Sequence, residues 1–193
     1  KRLLKRCPEK IRIVTLVRDP FSRNISAFFQ NLRRYDIDPS HDFTEEQRRR
    51  LSRIILTEYD HDVPLCWFDE EFLPAIGIDV FSVPFDSERK YCIADNMLTP
   101  ALIVRVDLQD EHKVKVLKKF LLRDDLTLAL SNIGDEKYYS DLYKRIKADF
   151  VYPDYMIDRA LNSKLMQHFF TSDERSELRN KYGRSALKSE DTL

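Results

Sequence analysis

The chain has 193 residues, 42% of them hydrophobic and 11% aromatic, which is enough apolar side chain for one α/β domain with a sizeable core. Thirty-three Lys plus Arg balance thirty-three Asp plus Glu, so composition supplies no bulk attraction to nucleic acid or to an anionic membrane, and any anion site has to be local. Cys7, Cys66 and Cys92 form neither a disulfide framework nor a Cys-x-x-Cys zinc motif, no run of about 18 apolar residues crosses a bilayer, and Lys1–Arg6 lacks the apolar core of a signal peptide, so the expected setting is reducing and cytoplasmic.

Ile11–Val17 is β-branched and almost continuously apolar, and reads as a central strand buried on both faces, as in a parallel sheet. Asp19-Pro20 then supplies an N-cap and a first-turn proline, and Phe21, Ile25, Phe28, Phe29 and Leu32 recur at helical spacing. Further helices are expected over residues 43–59 and 64–76, the second ended by Gly77. Ile78–Val83 and Ala101–Val106 read as strands, the latter followed from Glu111 by a helix that packs back on the sheet. Beyond Leu130 the pattern is helical, near 136–150, 153–162, 163–170 and 172–182. No linker sets this part off, so residues 1–193 read as one domain and 131–183 as its helical extension.

Arg18 falls at the carboxyl end of the first strand, the edge where open α/β sheets place ligands. At 100° per residue Ser26 falls on the opposite face of the helix from Phe21, Ile25 and Phe28, away from the core. A guanidinium fork, a serine hydroxyl and a helix N-terminus together suit a monophosphate. The alternative is that Arg18 pairs with Asp19 or another carboxylate and that Ser26 is a surface helix residue.

The run from Val17 to Phe29 resembles the 3′-phosphate-binding segment of sulfotransferases, in which an Arg at a strand end and a Ser eight positions later grip the 3′-phosphate of 3′-phosphoadenosine 5′-phosphosulfate (PAPS). Trp67-Phe68-Asp69, Gly77-Ile78-Asp79-Val80, Pro84-Phe85-Asp86, Asp135–Ser140, Ser163 and His168–Phe170 resemble the sulfotransferase-like family of putative capsular polysaccharide synthesis proteins. That family's Asn-Lys-Trp-Tyr-Ser hallmark is here Glu136-Lys137-Tyr138-Tyr139-Ser140. The resemblance implies a P-loop nucleotide-hydrolase-type three-layer α/β sandwich with a parallel sheet and a C-terminal helical extension. It also implies PAPS as co-substrate and Arg18 and Ser26 as cofactor-binding residues. Lys137 joins them at a position like the late loop that some sulfotransferases fold over the cofactor, with a surface lysine opening a helix as its alternative.

Related enzymes begin with a strand, a Gly/Lys-rich loop and a helix for the 5′-phosphosulfate. This sequence, whose glycines are Gly77, Gly134 and Gly183, is expected to start after all three, and the general base is expected upstream as well. The expected reaction is sulfuryl transfer to a hydroxyl of a carbohydrate acceptor, with no metal, no nucleic-acid partner and no assigned catalytic residue. Rival readings are a phosphotransferase of the same fold and a non-catalytic polysaccharide-assembly protein.

Four further features carry weaker expectations. His41, His61, His112 and His168 form no ligand pattern. His61 is either a base raised by Asp60 and Asp62 or a solvated loop residue. Arg48-Arg49-Arg50 is either an acidic-ligand patch or a solvated face with Glu45 and Glu46. Trp67, Phe68 and Phe72 are expected in the core rather than as a sugar platform.

Overall fold

The computed structural model describes residues 11–37, 44–95, 99–129 and 139–183. It is a mixed α/β structure whose contacts gather in two compact units, one built from Lys1–Arg18, Val63–Ala129 and Ser163–Thr171, the other from Asp19–Asp62, Leu130–Asn162 and Ser172–Leu193.

The first unit holds a three-stranded sheet in the order β1-β3-β2, with β1 Ile13–Val17, β2 Tyr91–Ala94 and β3 Ala101–Arg105. β1 runs parallel to β3, Val17 opposite Arg105, while β2 is antiparallel to β3, Ile93 opposite Leu102. The sheet is therefore small and mixed. Its centre is β3, buried at every residue. β1 is an edge strand of this sheet with Val14 37% and Leu16 59% exposed, which corrects the reading of Ile11–Val17 as a central strand buried on both faces. Leu102 and Val104 on one face of β3 pack with Leu108 and with Phe120 of helix α5, Asp110–Leu121.

The helix expected over 64–76 is continuous but not uniform: α3 Val63–Trp67 passes through a π-helical turn Phe68–Phe72 into α4 Leu73–Ile76. Gly77 ends it at φ 82°, a left-handed conformation that favours glycine. The segment Ile78–Val83 is not a strand. The Asp79 side chain accepts from the Phe81 N–H at 2.9 Å and the Asp79 carbonyl accepts from the Ser82 hydroxyl at 2.8 Å, folding Val80–Ser82 into a 3₁₀ turn. Phe169 of α8, Lys164–Phe169, then lies at the centre of an aromatic cluster, with ring centroids 5.6 Å from Phe68, 6.0 Å from Phe81 and 4.9 Å from Phe85.

The second unit is helical among the described residues: α1 Pro20–Gln30, α2 Glu45–Thr57, α6 Ser140–Asp149, α7 Asp154–Leu161 and α9 Ser172–Tyr182. α2 opens on a Thr44/Gln47 capping box. Aromatic rings surround α1: Phe21 stacks on Tyr182 at 5.0 Å and meets Tyr152 edge-on at 5.2 Å, Phe28 meets Tyr59, and Phe29 meets Tyr143. Ser22 and Asn24 are buried along with the apolar residues. The single apolar stripe inferred from spacing is thus too narrow, because α1 is a core helix rather than a surface one.

Candidate functional site

In the sheet unit, the carboxyl ends of β1 and β3 lie side by side, tied past the strands by the Val106 N–H donating to the Val17 carbonyl at 2.8 Å. Arg18, half-buried, is the residue that follows β1. Opposite the preceding Val17, in register, stands a second arginine that the sequence reading did not single out. Arg105 is only 3% exposed, and its guanidinium donates through Nε and Nη2 to both Asp107 oxygens, at 2.9 and 2.6 Å, and through Nη1 to the Phe169 carbonyl at 3.0 Å. It also lies 4.2 Å above the Phe170 ring. Lys90 Nζ donates to the same Asp107 at 2.7 Å. Burial alone would push the Asp107 carboxyl up, but the hydrogen bonds from Arg105 and Lys90 outweigh it and hold the group below its ordinary range. Asp107 lies in the turn that follows β3, which folds its carboxylate back onto Arg105, and no pattern in the sequence marks the pair.

In the helical unit, Asp19 caps α1: its carboxylate accepts from the Ser22 N–H at 2.8 Å and also from the Ser22 hydroxyl. The helix N-terminus therefore carries a carboxylate of its own, and one of the N–H groups assigned to a phosphate is engaged. Ser26 is half-buried rather than turned to solvent, and its hydroxyl shares a 2.9 Å hydrogen bond with the phenol of Tyr143 on α6. Tyr143 lies 117 residues away in sequence, and no local pattern marks it. Lys137 lies outside the described residues, as do His41 and most of the Glu136–Ser140 hallmark.

His61 fits neither of its expected roles. Its Nε2–H donates to the Ile55 carbonyl at 2.6 Å, the Asn24 amide donates to its carbonyl at 3.0 Å, and its ring packs between Tyr59 and Tyr152. Burial lowers its pKa, outweighing Asp60 and Asp62, which act in the opposite direction. It is a neutral structural histidine holding α1 to the 59–62 loop. His168 is likewise lowered by burial, among the rings of Phe81, Phe85 and Phe169. Arg48 and Arg49 pair with Glu45 on the exposed face of α2, in agreement with a solvated face. Phe68 and Phe72 are core residues, whereas Trp67 is 37% exposed. Among the described residues no His/Cys/Asp/Glu group could hold a metal, and no helix is long and apolar enough to cross a membrane.

A mixed α/β fold with arginines at the carboxyl end of a parallel strand pair defines only a broad class of protein. A family model supplies the rest: residues 51–171, more than half of the chain, match the NKWYS family, described as putative capsular polysaccharide synthesis protein. The chain belongs to that family. The matched span contains Trp67–Asp69, the Arg105–Asp107 pair, Glu136–Ser140 and His168–Phe170, while Arg18 and Ser26 precede it. No curated protein and no solved structure matches.

Proposed function

We propose that this chain carries the 3′-phosphate-binding part of a PAPS-dependent sulfotransferase of P-loop nucleotide-hydrolase type, acting on a carbohydrate hydroxyl in capsular polysaccharide synthesis. One observation carries the reading: a cationic residue, Arg18, directly follows a parallel strand and directly precedes a capped helix, the arrangement in which open α/β sheets receive phosphorylated ligands. In the reaction the acceptor oxygen attacks sulfur in line. A new S–O bond forms as the bond from sulfur to the 5′-phosphate breaks, adenosine 3′,5′-bisphosphate departs, and the acceptor's proton passes to a general base.

On this reading Arg18 and Ser26 hold the leaving nucleotide through its 3′-phosphate and touch no reacting bond, with Lys137 as a further cation on the cofactor. Arg18 offers a planar fork matched to two phosphate oxygens. The Ser26 hydroxyl can donate outward while accepting from Tyr143, so Tyr143 is a positioning residue. Because Asp19 already engages the α1 N-terminus, side-chain donors rather than helix N–H groups have to supply most of the affinity.

Calorimetric titration tests this. Adenosine 3′,5′-bisphosphate should bind at least about tenfold more tightly than adenosine 5′-phosphate, since one charge-assisted contact is worth roughly 1.5–3 kcal/mol. Equal affinity for the two nucleotides, or a preference for ATP, would rule the reading out.

A further inference from the structure

The sheet unit contains an open groove that runs the length of its strands, from Arg12 and Pro100 at the amino ends of β1 and β3 to Arg89 and Leu108 near the carboxyl end of β3. The groove, of about 750 Å³, is lined by Arg12, which precedes β1, by Pro100, which precedes β3, and by one face of α5. His112, Lys115, Val116 and Lys119 line it from the helix, and their spacing sets them on a single stripe. Lys115 and Lys119 are exposed, and among the described residues no carboxylate pairs with either. Lys113, by contrast, is drawn to Asp110 at 2.8 Å. Arg12 is fixed at the groove by donating to the Phe120 carbonyl at 2.8 Å, its guanidinium 5.7 Å from the Phe120 ring.

The lining has two components. Arg89 is paired with Asp86 at 3.2 Å, and the remaining lining cations Arg12, Lys115 and Lys119 are set against Glu88 and Asp95, a small local positive excess in a chain whose formal charge is zero. Tyr91, Phe120 and Ile93 also line the groove, Phe120 buried and Ile93 50% exposed. Lys115 and Lys119 are one helical turn apart, about 6 Å along the axis, so the cations are strung out rather than converging on one point. A compact polyphosphate calls for convergent donors. An extended anion with apolar faces between its charges fits a row of cations beside aromatic and aliphatic surface.

We infer that this groove binds an acidic glycan strand, its carboxylates on Lys115, Lys119 and Arg12 and its sugar faces on Tyr91 and Ile93. The inference rests on the reading of the acceptor as a carbohydrate and narrows it to a carboxylated polymer held along this groove of the sheet unit.

The probe is a size-defined oligogalacturonate titrated into the full chain at low and moderate salt. Its fully methyl-esterified form, with the same skeleton and no charge, and a single-stranded DNA oligomer are run alongside. The acid form should bind, weaken as salt rises, and lose at least about tenfold in K115E/K119E and in the milder K115Q/K119Q. R49E/R50E, an equal charge change to K115E/K119E made on α2, should leave binding unchanged. No binding, equal binding of the methyl ester, tighter binding of DNA, or equal loss in R49E/R50E would overturn the inference. Adenosine 3′,5′-bisphosphate titrated into the same samples separates the two readings: intact nucleotide binding without glycan binding refutes the groove alone, and the reverse refutes the 3′-phosphate site alone.

Discussion

β1 and β3 are five-residue strands of similar composition, Ile-Val-Thr-Leu-Val and Ala-Leu-Ile-Val-Arg, and they pair with each other residue for residue. Their environments are opposite. Ala101–Val104 are 0% exposed, whereas Val14 and Leu16 lie open at one flank of the sheet. An unbroken apolar run identifies a strand that can be covered on both faces, but strand order decides whether it is. Order depends on pairings that composition does not encode.

Three substitutions sharpen that contrast. Ile103→Asp buries an unpaired carboxylate at the sheet centre, and a cost of several kcal/mol should abolish the cooperative unfolding transition in denaturant. A retained transition would mean that β3 is not the core. Asp107→Ala leaves the Arg105 guanidinium buried without its carboxylate, and about 3 kcal/mol should be lost, read as a lower urea midpoint at unchanged slope. Val14→Asp should cost far less, about 1–2 kcal/mol, because Val14 is 37% exposed at the sheet edge and a carboxylate there reaches water; a loss comparable to Ile103→Asp would return β1 to the core.

A pH experiment addresses the helical unit. The folded pKa of His61 lies below the unfolded value, so the folded state binds the proton less well than the unfolded state does. Its contribution to stability is complete above about pH 6.5 and is lost as pH falls through that value toward the folded one. The thermal midpoint should drop between pH 7.5 and 5.5, with a smaller drop in His61→Gln. His168 contributes in the same direction and should keep the drop from vanishing. An identical drop in both proteins would mean that His61 is solvated after all. Least of all, Tyr143→Phe should weaken adenosine 3′,5′-bisphosphate about threefold in calorimetry, a fraction of one hydrogen bond, and no change would remove Tyr143 from the site.

The local grammar of the chain was readable from sequence. Asp19-Pro20 and Gly77 mark helix ends through capping chemistry that acts within a few residues, and the helices stand where those signals put them. What failed depends on distance. Tyr91–Ala94 escaped notice because four residues without flanking glycines carry almost no pattern, and β2 exists through its pairing with β3. Ile78–Val83 looked like a strand until the Asp79 side chain captured its backbone. A helical wheel turns Ser26 away from the core because it does not see Tyr143, and Asp60 and Asp62 point to a raised His61 pKa whereas burial beside Ile55, Tyr59 and Tyr152 decides its state. For the candidate site, the type and order of Arg18 and Ser26 could be read directly, but their hydrogen-bond partners could not.

The most direct test of the 3′-phosphate assignment is the affinity of Arg18→Ala for adenosine 3′,5′-bisphosphate and adenosine 5′-phosphate, measured calorimetrically on one folded preparation. The bisphosphate should weaken by at least about tenfold while the monophosphate stays nearly unchanged, so that the preference between them collapses. A preference that survives the substitution, or an equal loss for both nucleotides, would contradict the role given to Arg18 and with it the sulfotransferase reading.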